Sequence, residues 1–293
     1  MRVIVTGATG FVGRRLVAAL ADDHELICVV RDRATAASLA RVIVVEADLA
    51  RSSFRQILPP RADAIIHLAQ AYVPFPERAA EIFQVNAGST QRLAEYARRA
   101  QVRRFILASS GSVYRPSRRP LRESAPTMPA FYHPATKLIS EMVLRYYQPY
   151  FSIAVLRLFA PYGPGQVNRL IPRMITAVRS GGLVALSRGG EPRINPIYVD
   201  DLVRVIRQSL DNAGSYTVNV AGARVVGMRQ LAGMIGREVG RRPKFIHSDA
   251  EMAGDLIADT HLMQELFKVD SPVALEEGLA RMMASGPSGP KPK

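Results

Sequence analysis

The sequence predicts an α/β protein whose core is a doubly wound parallel sheet, joined by a smaller cap contributed by the C-terminal part. Short apolar runs rich in β-branched residues recur over the first 158 residues, and amphipathic helical stretches separate them. Continuous apolar runs are typical of strands covered on both faces, and strands that alternate with helices form parallel sheets. A glycine-rich turn directly after the first run is the third observation, because such sheets bind ligands at the C-terminal ends of their strands.

The predicted elements follow one another in order along the chain. Strands are expected at residues 3–5, 26–30, 42–45, 64–66, 105–107 and 153–158. Helices are expected at residues 11–21, 76–100 and 131–147, where apolar residues recur at three- and four-residue steps. Beyond residue 160, prolines punctuate shorter elements, among them helices near residues 200–210 and 228–239.

Composition limits the classes of function. The 293 residues are 48% hydrophobic, which is typical of a globular protein and excludes a disordered or fibrous chain. There are 39 basic against 25 acidic residues, a formal net charge of +14. Five of the basic residues are Lys and the others are Arg, scattered in pairs without a long basic block or a nucleic-acid-binding motif. The charge therefore indicates a solvated surface and anionic small ligands, and no nucleic-acid partner is expected.

Two further classes are excluded by what the sequence lacks. The single Cys28 lies in an apolar run, so a disulfide framework and a CxxC metal or redox motif are impossible, and no metal site is expected. No apolar stretch reaches 18 residues, and the N-terminus lacks the apolar region of a signal peptide. We therefore expect a cytoplasmic protein without a membrane partner.

Gly7, Gly10 and Gly13 form the glycine-rich turn between the first strand and the first helix. Glycines let the backbone turn tightly and approach a pyrophosphate, which the free N–H groups at the helix start then bind. This context predicts a Rossmann-type NAD(P)-binding domain. It would cover mainly residues 1–160, with later returns near 194–215. Residues 161–284 are predicted as mainly a substrate-binding cap, and residues 285–293 as a disordered Gly/Pro/Lys tail.

The G-x-x-G-x-x-G spacing is accompanied by ordered motifs along the chain: Asp48-Leu49, His67-Leu68-Ala69, Asn86, Leu156-Arg157-Leu158, Tyr162 to Gln166, Pro196 to Asp201 and Leu275 to Leu279. Together they resemble the extended short-chain dehydrogenase/reductase family, which includes nucleotide-sugar epimerases, dehydratases and reductases, over roughly 285 residues. The resemblance implies cofactor contacts from Gly7, Thr9, Gly10, Phe11, Val12, Gly13, Arg31, Asp32, Asp48, Leu49, Leu68, Ala69, Asn86 and Lys137.

The end of the second strand bears on which nicotinamide cofactor binds. NAD-using relatives carry an acidic residue there for the ribose hydroxyls, but this chain has Val30, followed by Arg31 and Asp32. Without the carboxylate, repulsion of a 2′-phosphate is lost, and Arg31 is able to pair with that phosphate. This favours NADP. The alternative, in which Asp32 reaches the ribose and NAD binds, stays open.

The resemblance also implies a catalytic Ser, Tyr and Lys. Ser110 stands in the catalytic place of the serine segment after the fifth strand, and Lys137 matches the family's lysine. Ser112, next to Ser110, is expected to bind substrate. The tyrosine expected four residues before the lysine is replaced by His133, and Tyr132 lies about 100° off the lysine face of a regular helix. Either His133 is the acid–base group, or Tyr132 takes that role through an irregular first turn, or the site binds cofactor without turnover.

Substrate recognition is less defined than cofactor binding. Arg169, Arg173, Arg188 and Arg193 lie in segments that resemble the family's diphosphate-binding region, and guanidinium groups suit phosphate. Ala160 stands where nucleotide-sugar relatives commonly carry Asn. The resemblance therefore implies an NAD(P)-dependent epimerase, dehydratase or reductase of a nucleotide sugar or related substrate, with a homodimer as its assembly. A catalytically impaired regulator or redox sensor and a reductase of a non-nucleotide carbonyl compound are the alternatives.

Overall fold

Parallel strands form the central layer of the computed structural model, which describes residues 1–187, 192–248 and 254–285. The strands, in chain order, are β1 (Arg2–Thr6), β2 (Glu25–Val30), β3 (Val42–Glu46), β4 (Ala64–His67), β5 (Arg104–Ser110), β6 (Ser152–Leu158), β7 (Leu183–Ser187), β8 (Arg193–Ile194), β9 (Tyr216–Val220), β10 (Val226–Gly227) and β11 (Lys244–Ser248). Seven of them make one parallel sheet in the order β3-β2-β1-β4-β5-β6-β9. The predicted doubly wound fold class is confirmed.

Helices cover both faces of this sheet. In chain order, the helices of the described residues are α1 (Phe11–Leu20), α2 (Phe54–Ile57), α3 (Ala79–Phe83), α4 (Ser89–Arg99), α5 (Tyr132–Arg145), α6 (Leu170–Ser180), α7 (Val199–Gln208), α8 (Met228–Glu238), α9 (His261–Leu266) and α10 (Leu275–Ala284). Of these, α6, α8 and α10 pack together in a separate cluster. Strand β1 shows why its apolar run is continuous. Val3 and Val5 pack into the cluster that includes α1 and α7 residues, whereas Ile4 packs into the opposite cluster beside α4. Both faces are therefore dry, as a parallel sheet requires.

The helix expected over residues 76–100 differs from the observed one. It begins only at Ala79, and a π-helical turn, Gln84–Gly88, separates α3 from α4. Such turns insert one residue into the helical repeat and frequently lie at functional sites. Here the turn carries Asn86, whose side chain is fully buried.

Part of the chain after residue 160 forms an apolar cluster separate from those of the main sheet. It joins α6, α8 and α10 with side chains of β7, β8 and β10. The short pairs β8–β10 and β7–β11 lie outside the main sheet. Phe11 and Val12 at the start of α1 pack against this cluster, which places the glycine-rich turn beside it. The division into two domains stays a prediction.

The described part of the chain ends at Ser285, the first residue of the predicted disordered tail. Ser285, which was assigned to the disordered tail, instead ends α10, because its N–H donates to Arg281 O and its Oγ to Met282 O. The rest of that predicted tail, residues 286–293, lies outside the described residues. Among those described, no helix is long and apolar enough to cross a membrane.

His67, at the end of β4, makes the stability of the fold depend on pH. Its ring contacts Thr6 Oγ1 through Nδ1 at 2.6 Å and Ser89 Oγ through Nε2 at 3.2 Å, and burial lowers its pKa to about 3. Below its ordinary pKa of 6.5 the unfolded chain takes up this proton first. We expect stability to fall from pH 6.5 towards 3, by up to about 1.4 kcal/mol per pH unit from this group.

Urea unfolding at several pH values tests this expectation. The His67→Gln variant should show a shallower loss of unfolding free energy between pH 6.5 and 4.5 than the wild type. His261→Gln, which changes an exposed histidine, should leave the slope unchanged. Equal slopes in wild type and His67→Gln would contradict the expectation.

Candidate active site

The glycine-rich turn is closed against the end of β4. Gly7 has φ +72°, and a Cβ there would lie 2.7 Å from Ala69 N. A Cβ on Gly13 would lie 2.1 Å from Gly7 O. The turn therefore accepts only glycine at these places, and Ala69 and Leu68 lie beside it, as expected for a cofactor-binding strand end.

The first turn of α1 is shaped for an anionic group. The helix begins after the exposed Gly10, and no side-chain cap accepts from its first N–H groups. Unpaired N–H groups at a helix start bind phosphate. Gly7, Thr9, Gly10 and the following Phe11 and Val12 would hold a dinucleotide pyrophosphate here. The backbone cradle that a Cβ would fill shows that the residues present fit this group.

Arg31 and Asp32 follow β2 at the same edge of the sheet, and their side chains behave differently. The Asp32 carboxylate accepts from Ala34 N at 2.8 Å and caps a short 3₁₀ turn. Arg31 is 80% exposed, with NH1 3.7 Å from Glu81 Oε1. Val30 ends the strand and is buried. Both side chains are exposed at this strand end, and one oxygen of the carboxylate is engaged with the backbone.

Three further residues expected to contact the cofactor are Asp48 and Leu49, which follow β3, and Asn86, which contacts the loop after β4. Asp48 Oδ1 accepts from Ala50 N at 2.9 Å, so this carboxylate shapes the loop after β3, which continues with Leu49. Asn86 is buried between two elements: its Oδ1 accepts from Ala71 N and its Nδ2 donates to Thr136 Oγ1, each at 2.9 Å. Asn86 thus links the loop after β4 to α5, the helix that carries Lys137, and acts here as a structural tie.

Ser110 ends β5, and its hydroxyl is partly used. Its Oγ accepts from Ser112 N at 3.1 Å and caps a short 3₁₀ turn. A hydroxyl that accepts one hydrogen bond still has its own hydrogen to donate. Ser110 therefore combines a turn-capping role with a free donor at the strand end, next to Ser112.

Helix α5 begins regularly at Tyr132, so the irregular first turn that would bring Tyr132 towards Lys137 is absent. The Tyr132 ring stacks on Phe75, with centroids 4.7 Å apart. His133 instead meets the edge of Tyr72, with centroids 5.1 Å apart. In this arrangement His133, and not Tyr132, occupies the position one helical turn before Lys137.

The surroundings of His133 keep its imidazole neutral at neutral pH. Burial, together with the nearby charges of Lys137 and Arg169, lowers the pKa of His133 to about 4. Its Nε2 is buried and has no hydrogen-bond partner among the described residues. The Arg169 guanidinium stacks on the outer side of Tyr72, 3.9 Å from the ring centroid. His133 is thus a neutral imidazole whose Nε2 is unpaired, with the Tyr72 ring packed against it and the charge of Arg169 nearby.

Lys137 lies one turn further along α5 and is 1% exposed. Burial lowers its pKa to about 8, while the Glu141 charge acts in the opposite direction. Among the residues that the structure describes, no carboxylate lies within ion-pair distance of its ammonium. The carboxylate one turn onward, Glu141, pairs with Arg157 at 2.6 Å instead.

The arginines expected to bind substrate have diverse surroundings. Arg169 lies beside the His133 pocket, and Arg173 is exposed on α6. Arg193 is held by Asp255 in a two-point pair at 2.9 and 2.7 Å, so its guanidinium is already occupied. Arg188 lies outside the described residues. Ala160, at the position of the relatives' Asn, has a left-handed backbone with φ +41°.

Two groups of contacts near this site were not predicted from the sequence. Tyr72 and Phe75 come from the loop after β4, and only the folded chain shows that they cover the start of α5. The Arg157–Glu141 pair joins β6 to α5, although both residues stand in recognisable motifs. The aromatic content of the 72–76 segment was the one available hint for the first group.

Fold and site together define an α/β protein with a glycine-rich, dinucleotide-type turn at the strand ends of a parallel sheet. The sequence profile of the NAD dependent epimerase/dehydratase family matches residues 3–221. The chain belongs to this family, and it is an enzyme of the extended short-chain dehydrogenase/reductase type. The resemblance of the motifs to that group is thereby confirmed.

Several relatives match nearly the whole chain. A dTDP-4-dehydro-6-deoxy-D-allose reductase of a Streptomyces species is 28% identical, covering 94% of this chain and 93% of the relative. A UDP-glucose 4-epimerase of Mycolicibacterium smegmatis is 29% identical over 96% and 97% of the two chains. Among solved structures, MoeE5 in complex with UDP-glucose and NAD is 27% identical, with a TM-score of 0.86 over 97% of this chain and 98% of that one.

Proposed function

We propose that this protein is an NAD(P)-dependent epimerase, dehydratase or reductase of nucleotide sugars in which His133 replaces tyrosine as the acid–base group. The observation that carries the proposal is the unpaired, buried Nε2 of His133, one helical turn before Lys137. A buried polar atom without a partner is costly, so a ligand group that completes its hydrogen bond gains affinity at this point.

The chemistry follows from the protonation states of the site. When bound, the nicotinamide ring supplies the hydride acceptor and donor. As a substrate hydroxyl is oxidised to a carbonyl, the neutral His133 accepts the hydroxyl proton at Nε2 while the hydride leaves the same carbon. Ser110 donates its free hydroxyl hydrogen to the reacting oxygen. The nearby Lys137 charge disfavours the resulting imidazolium, so the proton returns readily when a carbonyl is reduced again.

Two observations support a nucleotide sugar as the substrate. Matched relatives over almost the full length are named for dTDP-sugar and UDP-sugar reactions, and MoeE5 binds UDP-glucose. Arg169 and Arg173 offer guanidinium groups without a carboxylate within ion-pair distance in the described part of the chain. Planar guanidinium forks suit the diphosphate of such a substrate.

The experiment incubates the purified protein with NAD or NADP and a panel of UDP- and dTDP-hexoses. Epimerised or dehydrated sugar, separated by chromatography, or a change in nicotinamide absorbance supports the proposal. Cofactor binding without any change in the sugars would support the catalytically impaired alternative.

One observation favours a third candidate, a reductase of a non-nucleotide carbonyl compound. Ala160 lacks the amide that nucleotide-sugar relatives commonly carry, yet keeps a left-handed backbone at φ +41° that Asn adopts more readily than Ala. Oxidation of NADPH by simple aldehydes or ketones, with no reaction of nucleotide sugars, would select this function.

We propose further that the enzyme prefers NADP. The support is the strand end itself. Val30 replaces the acidic residue, Asp32 Oδ1 is engaged with Ala34 N, and the Arg31 guanidinium is 80% exposed and held only by a 3.7 Å contact with Glu81 Oε1, so it is able to turn towards a 2′-phosphate. A charge-assisted hydrogen bond contributes about 1.5–3 kcal/mol. NADP affinity is therefore expected to exceed NAD affinity by at least tenfold.

Replacing Arg31 tests this preference. We expect Arg31→Ala to weaken NADP binding by about 10- to 100-fold and to leave NAD binding within about twofold, measured by calorimetry. Arg41→Ala, which removes another exposed arginine, serves as the matched control. Tighter binding of NAD than of NADP by the wild type would refute the preference.

We propose that the enzyme is a homodimer that pairs through α5. The outer face of α5 exposes the large apolar side chains of Ile139 and Met142, and Tyr146 and Tyr150, just beyond the end of the helix, are also exposed. A patch of this kind is typical of an interface. Sedimentation should give twice the mass of the 32.1 kDa chain, and Met142→Glu should shift it towards the monomer. A monomeric wild type at micromolar concentration would exclude the dimer.

A further inference from the structure

A buried ion pair lies directly behind Lys137. Arg157 on β6 holds Glu141 on α5 through three contacts: Nε to Oε1 at 3.1 Å, Nε to Oε2 at 3.2 Å and NH2 to Oε2 at 2.6 Å. The side chains of the pair are 9% and 8% exposed. Ser109, beside Ser110 on β5, also donates to Glu141 Oε1. Both carboxylate oxygens are therefore occupied.

The guanidinium has no freedom to release this carboxylate. Its NH1 donates to Tyr114 Oη at 2.6 Å and to Glu123 O at 3.1 Å, and its plane stacks on the Tyr114 ring. Tyr114 in turn donates to Asn219 Oδ1 at 2.7 Å. The network joins β5, β6 and β9 to α5, so Arg157 is anchored on the sheet side.

Without Arg157, Glu141 would have a different partner. Residues four apart on a helix are neighbours, with Cβ atoms about 5–6 Å apart, and Lys137 stands four residues before Glu141. The sequence alone therefore suggests a Lys137–Glu141 ion pair. In the structure this pair does not form, because a neighbouring strand supplies a bidentate competitor.

We infer that Arg157 is a positioning residue: it sequesters Glu141 and so leaves the Lys137 ammonium unpaired towards the cofactor and His133. The inference rests on the proposed function for the role of that ammonium, whereas the sequestration itself is a property of this chain alone. An unpaired ammonium keeps its full charge available to the nicotinamide ribose and to the imidazole.

Other titratable groups near Lys137 do not replace Glu141 as its counter-ion. Burial lowers the pKa of both His67 and His133, with the Lys137 charge acting in the same direction, and burial raises the pKa of Tyr114, so all three are neutral near pH 7. Glu123 acts on Tyr114 and its Oε1 accepts from Asn219 N at 2.8 Å, whereas the Arg169 charge acts on His133. If Glu141 were released from Arg157, its carboxylate would therefore turn to Lys137.

The test is the titration of Lys137 by NMR in the intact protein without substrate. The chain has five lysines, so ¹³C-lysine labelling gives few Cε signals, and Lys137→Arg assigns the relevant one. We expect a midpoint near the value of about 8 in the wild type, since burial lowers the pKa of Lys137 to that value. In Arg157→Met the midpoint should rise by about one pH unit as Glu141 turns to the ammonium.

A double-mutant comparison separates this effect from general damage. In a Glu141→Gln background, Arg157→Met should no longer raise the Lys137 midpoint, because the competing carboxylate is gone. Arg104→Met is the matched control: Arg104 is equally buried but donates to Ser209 O and Gly214 O, away from Lys137, and its loss should leave the midpoint unchanged.

Two results would overturn the inference: an unchanged midpoint in Arg157→Met, or a rise of the same size with Glu141→Gln present. If Arg157→Met does not fold, Arg157→Gln keeps a donor for Tyr114 and must show a rise in the same direction. The Lys137 midpoint is measured without substrate or turnover. Failure of the proposed reaction would therefore not affect the result of this titration, and an unchanged midpoint would not contradict the proposed reaction.

Discussion

Replacing His133 by Phe is expected to lower turnover by about 10²- to 10⁴-fold while dinucleotide binding stays within a few-fold of the wild type. General acid–base groups contribute factors of this size, and Phe keeps the ring that packs against Tyr72 while removing the proton acceptor. The measurement is steady-state turnover of the substrate found in the nucleotide-sugar panel, with cofactor affinity from calorimetry.

Tyr132→Phe is the matched control for this experiment. The Tyr132 ring stacks on Phe75, and removal of its hydroxyl should leave turnover within about threefold. Intact turnover in His133→Phe together with lost turnover in Tyr132→Phe would assign the proton transfer to Tyr132. Intact turnover in both variants would remove the whole acid–base proposal.

Gly7→Ala is expected to have the second large effect, on both stability and cofactor binding. The new Cβ would lie 2.7 Å from Ala69 N, at a backbone φ of +72° that L side chains rarely adopt. The left-handed strain and the overpacking together should lower the free energy of unfolding by about 2–5 kcal/mol. Urea unfolding measures this loss of stability. Calorimetry should show that the dinucleotide binds at least tenfold more weakly to the variant than to the wild type.

Gly233→Ala on α8 provides the opposite case. A Cβ at Gly233 meets no atom within 4 Å, and alanine favours helix over glycine by about 0.5–1 kcal/mol. This variant should be slightly more stable and should bind the dinucleotide as the wild type does. Equal effects of Gly7→Ala and Gly233→Ala would show that the glycine-rich turn is not tightly packed against the end of β4.

The central sheet was largely predictable because its signals are local. Apolar runs such as Val3 to Val5, covered on both faces, and the glycine spacing that follows them are properties of consecutive residues. The bounds of individual helices were less predictable than the strands. A single helix was expected over residues 76–100, and the π-helical turn within it depends on the buried contacts of Asn86 with Ala71 and Thr136.

The site divides in the same way. From sequence alone, His133 and Lys137 could be placed one turn apart on the same helix, since this follows from their spacing along the chain. Only the tertiary structure decided that Tyr132 stacks on Phe75 and His133 contacts Tyr72, because these partners come from a distant loop. It also decided that Glu141 pairs with Arg157 and not with Lys137. Helical spacing favours the local pair, but a bidentate guanidinium from the neighbouring strand satisfies both carboxylate oxygens at once.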